Sequence, residues 1–110
     1  QPNELKLGQA LRINFMNEET KLNKDAEDKL YQLSEQLGNK PELRIQLMAF
    51  AGAEGMSISK ARRQSLSRAL TVRSFLMKKG IRSTRIDVRA LGNKSSELPI
   101  NRVDVNIVER

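Results

Sequence analysis

The chain contains no cysteine, no histidine and no tryptophan. Without cysteine there is no disulfide framework, no thiol nucleophile and no cysteine-ligated zinc site. Without histidine, the commonest general base and the commonest metal ligand are both missing. The aromatics are Phe15, Tyr31, Phe50 and Phe75 alone; they do not interleave with the basic residues as in the stacking platforms of nucleic-acid binders. No run approaches the roughly 20 apolar residues of a membrane-spanning helix. The opening Gln1-Pro2-Asn3-Glu4 lacks the charged-then-apolar pattern of a signal peptide. No carboxylates form a pair, and no serine–lysine spacing singles out a nucleophile and its base. These absences predict a non-catalytic segment with no cofactor, no metal, no membrane insertion and no nucleic-acid partner.

What is present fits one domain over residues 1–110, with its core at about 11–108. Apolar residues make up 38% of the 110 positions, enough for one modest core. Charged residues make up 30% but alternate with apolar ones, which marks a folded chain and not a disordered tail. The net charge of +7 is uneven: residues 1–55 carry 7 basic and 9 acidic side chains, residues 56–110 carry 13 and 4. Such asymmetry points to a face that meets something anionic.

Hydrophobic spacing gives the elements. Leu11, Ile13 and Phe15 alternate as a strand over residues 10–16. Asn23 stands where it can cap a helix, with Asp25 and Glu27 in the first turn. Ala26, Leu30, Leu33 and Leu37 form that helix's apolar face as far as Gly38. Ile45 and Leu47 lie in a second strand that runs to Phe50, and a glycine-rich loop follows at 51–57. A long helix spans about 59–79. Ala61, Ser65, Ala69, Val72 and Leu76 make its main stripe; Leu66, Leu70 and Met77 make an adjoining one. So wide an apolar arc predicts packing on both a sheet and the first helix. Ile86, Val88 and Ala90 alternate in a third strand, and Val103, Val105 and Ile107 in a fourth, across a loop at 91–100. The expected class is α+β: a β-α-β-α-β-β two-layer sandwich with both helices on one face of a mixed sheet.

Four segments in this order resemble a known family, the OmpA-like peptidoglycan-binding domains. Residues 11–15 with Leu22 look like its opening strand and turn. Ser65 to Ile81 resembles its helix, L-S-x-x-R-A-x-x-V-x-x-Y-L-x-x-x-G-I. Arg85 to Gly92 resembles R-I-x-x-x-G-x-G, and Asn101 to Val105 resembles N-R-R-V-E-I. The resemblance covers Leu11 to Val108. It implies a periplasmic domain of a membrane-anchored envelope protein in Gram-negative bacteria, holding the diaminopimelate of the peptidoglycan stem peptide without covalent chemistry.

The same resemblance implies the site. Arg68, just before Ala69, matches the arginine that pairs with the ligand's carboxylate, a contact suited to a guanidinium fork. On the helical wheel it sits at the edge of the main stripe, a place from which to reach a groove. The family's aspartate, which meets the ligand's ammonium, falls on Ala53, or on Gly52 with a one-residue gap; Glu54 is the loop's only acid. Phe50 falls where the family has an aromatic or histidine, and Asn101 and Arg102 are placed to line the groove. Arg62 and Arg73 are expected to pair with an acid such as Asp87 or Asp104. The missing aspartate also opens a second reading: a domain that has kept the scaffold, lost the diaminopimelate pocket and serves as a protein-interaction or structural module of a periplasmic envelope assembly.

Overall fold

The computed structural model describes residues 7–109; the opening tetrapeptide lies outside them. Strand β1 (Gly8–Asn14), helix α1 (Lys24–Gly38), strand β2 (Leu43–Phe50), helix α2 (Ile58–Lys78), a 3-10 turn (Ser83–Arg85) and strands β3 (Ile86–Ala90) and β4 (Arg102–Glu109) follow in that order. The expected β-α-β-α-β-β sandwich is what forms. Its sheet runs β1-β4-β2-β3, with β4 antiparallel to both β1 and β2 and β3 parallel to β2. The parallel pair arises because α2 carries the chain back over the sheet between β2 and β3.

Local chemistry fixes the helix ends. Asn23 Oδ1 accepts from the Ala26 N–H at 2.8 Å, so α1 is capped where the sequence placed its cap. α2 begins slightly earlier than the spacing predicted, because the Ser57 hydroxyl accepts from the Lys60 N–H at 3.0 Å. At the other end Gly80, at φ +99°, lets its own N–H reach Met77 O and the Ile81 N–H reach Leu76 O. Those two bonds close a Schellman turn, and Ile81 is buried beneath it. α2 has no acid in its first turn and carries Lys60, Arg62 and Arg63 there and just beyond. Cations at that end oppose the helix dipole, at about 0.3–1 kcal/mol each.

Between the layers, Ile13, Ile45, Leu47, Ala49, Val103, Val105 and Ile107 meet Ala26, Leu30, Leu33 and Leu37 of α1 and Ala69, Val72 and Leu76 of α2. Each large aliphatic buried there contributes about 1.5–3 kcal/mol. The adjoining stripe of α2 behaves differently: Leu66, Leu70 and Met77 remain 42%, 43% and 40% exposed. α2 does meet α1, but on its other flank, where Lys79 Nζ lies 5.3 Å from the rings of both Tyr31 and Phe75. The wide arc was therefore not a second packing face.

Polar pairs on the outer face of the sheet also depart from expectation. Asp87 pairs with Arg44 at 2.7 Å, and Asp104 pairs with Arg12 and Arg102, so neither acid serves Arg62 or Arg73. Cross-strand neighbours in register, such as Arg12 and Asp104, found each other first. Arg85 donates to the carbonyls of Leu37, Lys40 and Leu43, pinning the start of β3 to the end of α1 and the start of β2.

Gly92 gives a test of the packing. Its φ is +59°, its N–H donates to the buried Ser65 hydroxyl, and an added Cβ would stand 3.3 Å from the Arg62 backbone nitrogen. Gly92→Ala should cost about 1–3 kcal/mol in urea unfolding. Gly38→Ala, with open space around it, should fall within about 1 kcal/mol of neutral.

Candidate functional site

Most of the residues that the resemblance singles out lie where the loop after β2 meets the loop before β4. Ala51 N–H donates to Gly92 O at 2.8 Å, and Leu91 N–H to Ala49 O at 2.9 Å, which draws the two loops together. Gly52 then passes so close that a Cβ would sit 3.3 Å from Ile100 Cγ1. The Asn101 side chain bridges the gap like a short piece of strand. Its Oδ1 accepts from the Gly52 N–H and its Nδ2 donates to Gly52 O, both at 3.1 Å. Nδ2 also reaches Asn17 Oδ1 at 3.4 Å.

Arg68 lies at the centre of this cluster and is fully buried. Its Nε donates to Glu19 O (2.8 Å), its Nη2 to Met16 O (3.0 Å), and its Nη1 to Phe50 O (3.2 Å) and Asn101 Oδ1 (2.7 Å). The guanidinium carbon stands 5.1 Å from the centre of the Phe15 ring, a cation–π contact. Four of the five guanidinium N–H groups are thus spent on the protein's own acceptors. No carboxylate among the described residues pairs with it. Burial consequently pushes its pKa below the usual arginine value, and the nearby charge of Glu19 offsets this only in part.

This placement differs from the edge position that the helical wheel implied. The turn between β1 and α1 folds over α2 and offers carbonyls that spacing along one helix does not register. The other candidate residues divide into three sets. Gly52 and Asn101 join Arg68 in one cluster, whereas Ala53 and Glu54 follow Gly52 in an exposed tight turn closed by the Met56 N–H on Ala53 O. Arg102 and the Phe50 side chain turn to the opposite face of the sheet, as strand alternation requires. There the Arg102 guanidinium covers the Phe50 ring at 4.2 Å and donates to Asp104, Glu97 O, Pro99 O and Ser95 Oγ. Both are buried, and they fasten the 91–100 loop to the sheet instead of lining a groove. Met16, Asn17 and Glu19 belong to the cluster through acceptor oxygens, and nothing in their residue types announced it.

Removing Arg68 should strand three carbonyls and one amide. Arg68→Ala is expected to cost at least about 3 kcal/mol in denaturant unfolding. Arg63→Ala, at an exposed position of the same helix, should change stability by no more than about 0.5 kcal/mol.

Comparison with known proteins places this geometry. No curated protein matches the chain significantly. Among solved structures, the fold is similar to the OmpA-like domain of FopA1 from Francisella tularensis subsp. tularensis SCHU S4, at 13% identity and a TM-score of 0.78, covering 98% of this chain and 87% of that one. It is also similar to the peptidoglycan-associated lipoprotein from Burkholderia pseudomallei (16% identity, TM-score 0.76, 88% and 89% covered). A third is the periplasmic domain of Helicobacter pylori MotB (13%, 0.73, 96% and 79%). The sequence model of the OmpA family matches residues 14–105, which takes in both helices and the whole Arg68 cluster, and the chain belongs to the OmpA family.

Proposed function

We propose that this chain is a single non-catalytic periplasmic domain that binds peptidoglycan non-covalently through the diaminopimelate of the stem peptide. Family membership supports the class, together with the likeness to a peptidoglycan-associated lipoprotein and to a periplasmic domain. The observation that carries the reading is a buried guanidinium beneath the glycine-rich loop that forms no ion pair among the described residues and is offset only in part by the charge of Glu19. A ligand bearing both a carboxylate and an ammonium suits that arrangement. Its carboxylate takes the place of Asn101 Oδ1 on Nη1, exchanging a neutral acceptor for a charged and stronger one. Its ammonium meets Glu54 at the exposed turn, in place of the family's aspartate.

The second reading, a domain that has kept the scaffold and lost the ligand, draws on the same cluster. Arg68 is already satisfied, and Ala53 supplies no charge where the family has an acid. Co-sedimentation with peptidoglycan sacculi and titration with a diaminopimelate muropeptide separate the two. The first reading expects weak binding that falls as salt rises. Glu54→Gln should weaken it, and Ala53→Asp, which restores an acid at an exposed position, should strengthen it about tenfold, or about 1.4 kcal/mol. No retention on sacculi, and no gain in Ala53→Asp, would leave only the second reading.

A further inference from the structure

α2 is unusual for an amphipathic surface helix. Its 21 residues include Lys60, Arg62, Arg63, Arg68, Arg73 and Lys78 and not one acid. Arg68 is internal, and Lys60 reaches Glu18 at 3.5 Å. Arg62, Arg63, Arg73 and Lys78 have no carboxylate partner among the described residues. Helices of this kind ordinarily intersperse acids at i, i+4, as α1 does with Lys24–Asp28 and Asp25–Lys29. The same flank carries the exposed Leu66, Leu70 and Met77. Together with Arg62 and Arg73 they recur at steps of four, four, three and four residues, a straight seam along the helix. Leu66 lies about half a turn round from Phe75, which faces α1. The seam's centre therefore runs on the side away from α1, and only Leu70 also borders the groove toward Glu27.

From this uncompensated seam we infer that the α2 flank of Arg62, Leu66, Leu70, Arg73 and Met77 is a docking surface for an acidic amphipathic helix of another envelope protein. Apolar side chains of the partner pack on Leu66, Leu70 and Met77, and its carboxylates meet the arginines. Leucine and methionine at the centre with arginine beside them suit an interface that excludes water from its middle. Charge decides between this occupant and the others. A second copy would set arginine against arginine, and three of the four acids of α1 already pair with Lys24 and Lys29 or face Tyr31, while the fourth, Glu27, lines the groove with Lys21 and Lys78. A flat anionic bilayer laid on the helix layer would also meet α1, where four acids outnumber two lysines. A slender helix following α2 alone meets only the cations. The groove on the α1 side of α2 shares only Leu70 with the seam and does not compete, because Glu27 faces it along with Lys21 and Lys78 and its charge is mixed.

The test uses the whole chain and a synthetic helical peptide of about eighteen residues, with leucines at heptad a and d positions and glutamates at e and g. A control peptide carries lysine for every glutamate. The inference expects the acidic peptide to bind, the lysine peptide not to, and amide NMR shifts to concentrate on residues 62–77. Leu66→Ser and Arg73→Glu should each weaken binding about tenfold while the remaining amide resonances stay in place. Sacculus binding should persist in both variants, which keeps this surface distinct from the Arg68 cluster. The inference is overturned if the acidic peptide fails to bind, if both peptides bind alike, or if the shifts fall elsewhere. Sedimentation showing self-association lost in Leu66→Ser would assign the seam to a second copy. Binding to phosphatidylglycerol vesicles lost in Arg73→Glu would assign it to a membrane. Either outcome overturns the proposal.

Discussion

One buried guanidinium organises the loop end of this domain. Arg68 joins the turn after β1, the end of β2, the long helix and the entry to β4, and it does so almost entirely through neutral oxygens. A buried arginine is usually matched by an acid, because desolvating its charge is expensive. Here the cost is offset by three carbonyl dipoles, one amide and an aromatic ring, and only in part by the nearby charge of Glu19. The lowered pKa of Arg68 reflects that state. The cluster is thus a structural clamp that carries a buried charge.

Arg68 is one of three arginines used in this way. Arg85 ties the start of β3 to the end of α1, and Arg102 ties the 91–100 loop to the outer face of the sheet. All three gather carbonyls from loop or element ends, where helices and strands leave acceptors unsatisfied. A planar fork with several donors can serve two or three such ends at once, which lysine cannot. The domain has no disulfides, and these arginines perform much of the cross-linking between segments that disulfides perform in other small domains.

The basic excess of the C-terminal half therefore has two parts. Arg68, Arg85 and Arg102 are consumed inside the fold and say little about partners. Arg62, Arg63, Arg73 and Lys78 remain on α2 with no ion pair among the described residues, interleaved with exposed leucines and a methionine. The Arg68 cluster and the α2 seam are built from different residues of one helix. Its buried side serves the loops, while its open side is free for a partner, so one element supports two separate contacts.

Period and punctuation alone determined the element order, the α1 cap at Asn23, the two glycine-ended helices and nearly all of the core, because these depend on neighbours within a few residues. The same local reading located the family's helix, and with it Arg68. It misplaced the direction of several side chains. Leu66, Leu70 and Met77 read as a packing face because periodicity reports apolarity and not what lies opposite. Phe50 and Arg102 read as neighbours of Arg68 in the site, although pairing with β4 turned both to the other side of the sheet. Only the tertiary structure could decide that Arg68 is enclosed, since its partners are backbone carbonyls from distant segments and every residue type carries one.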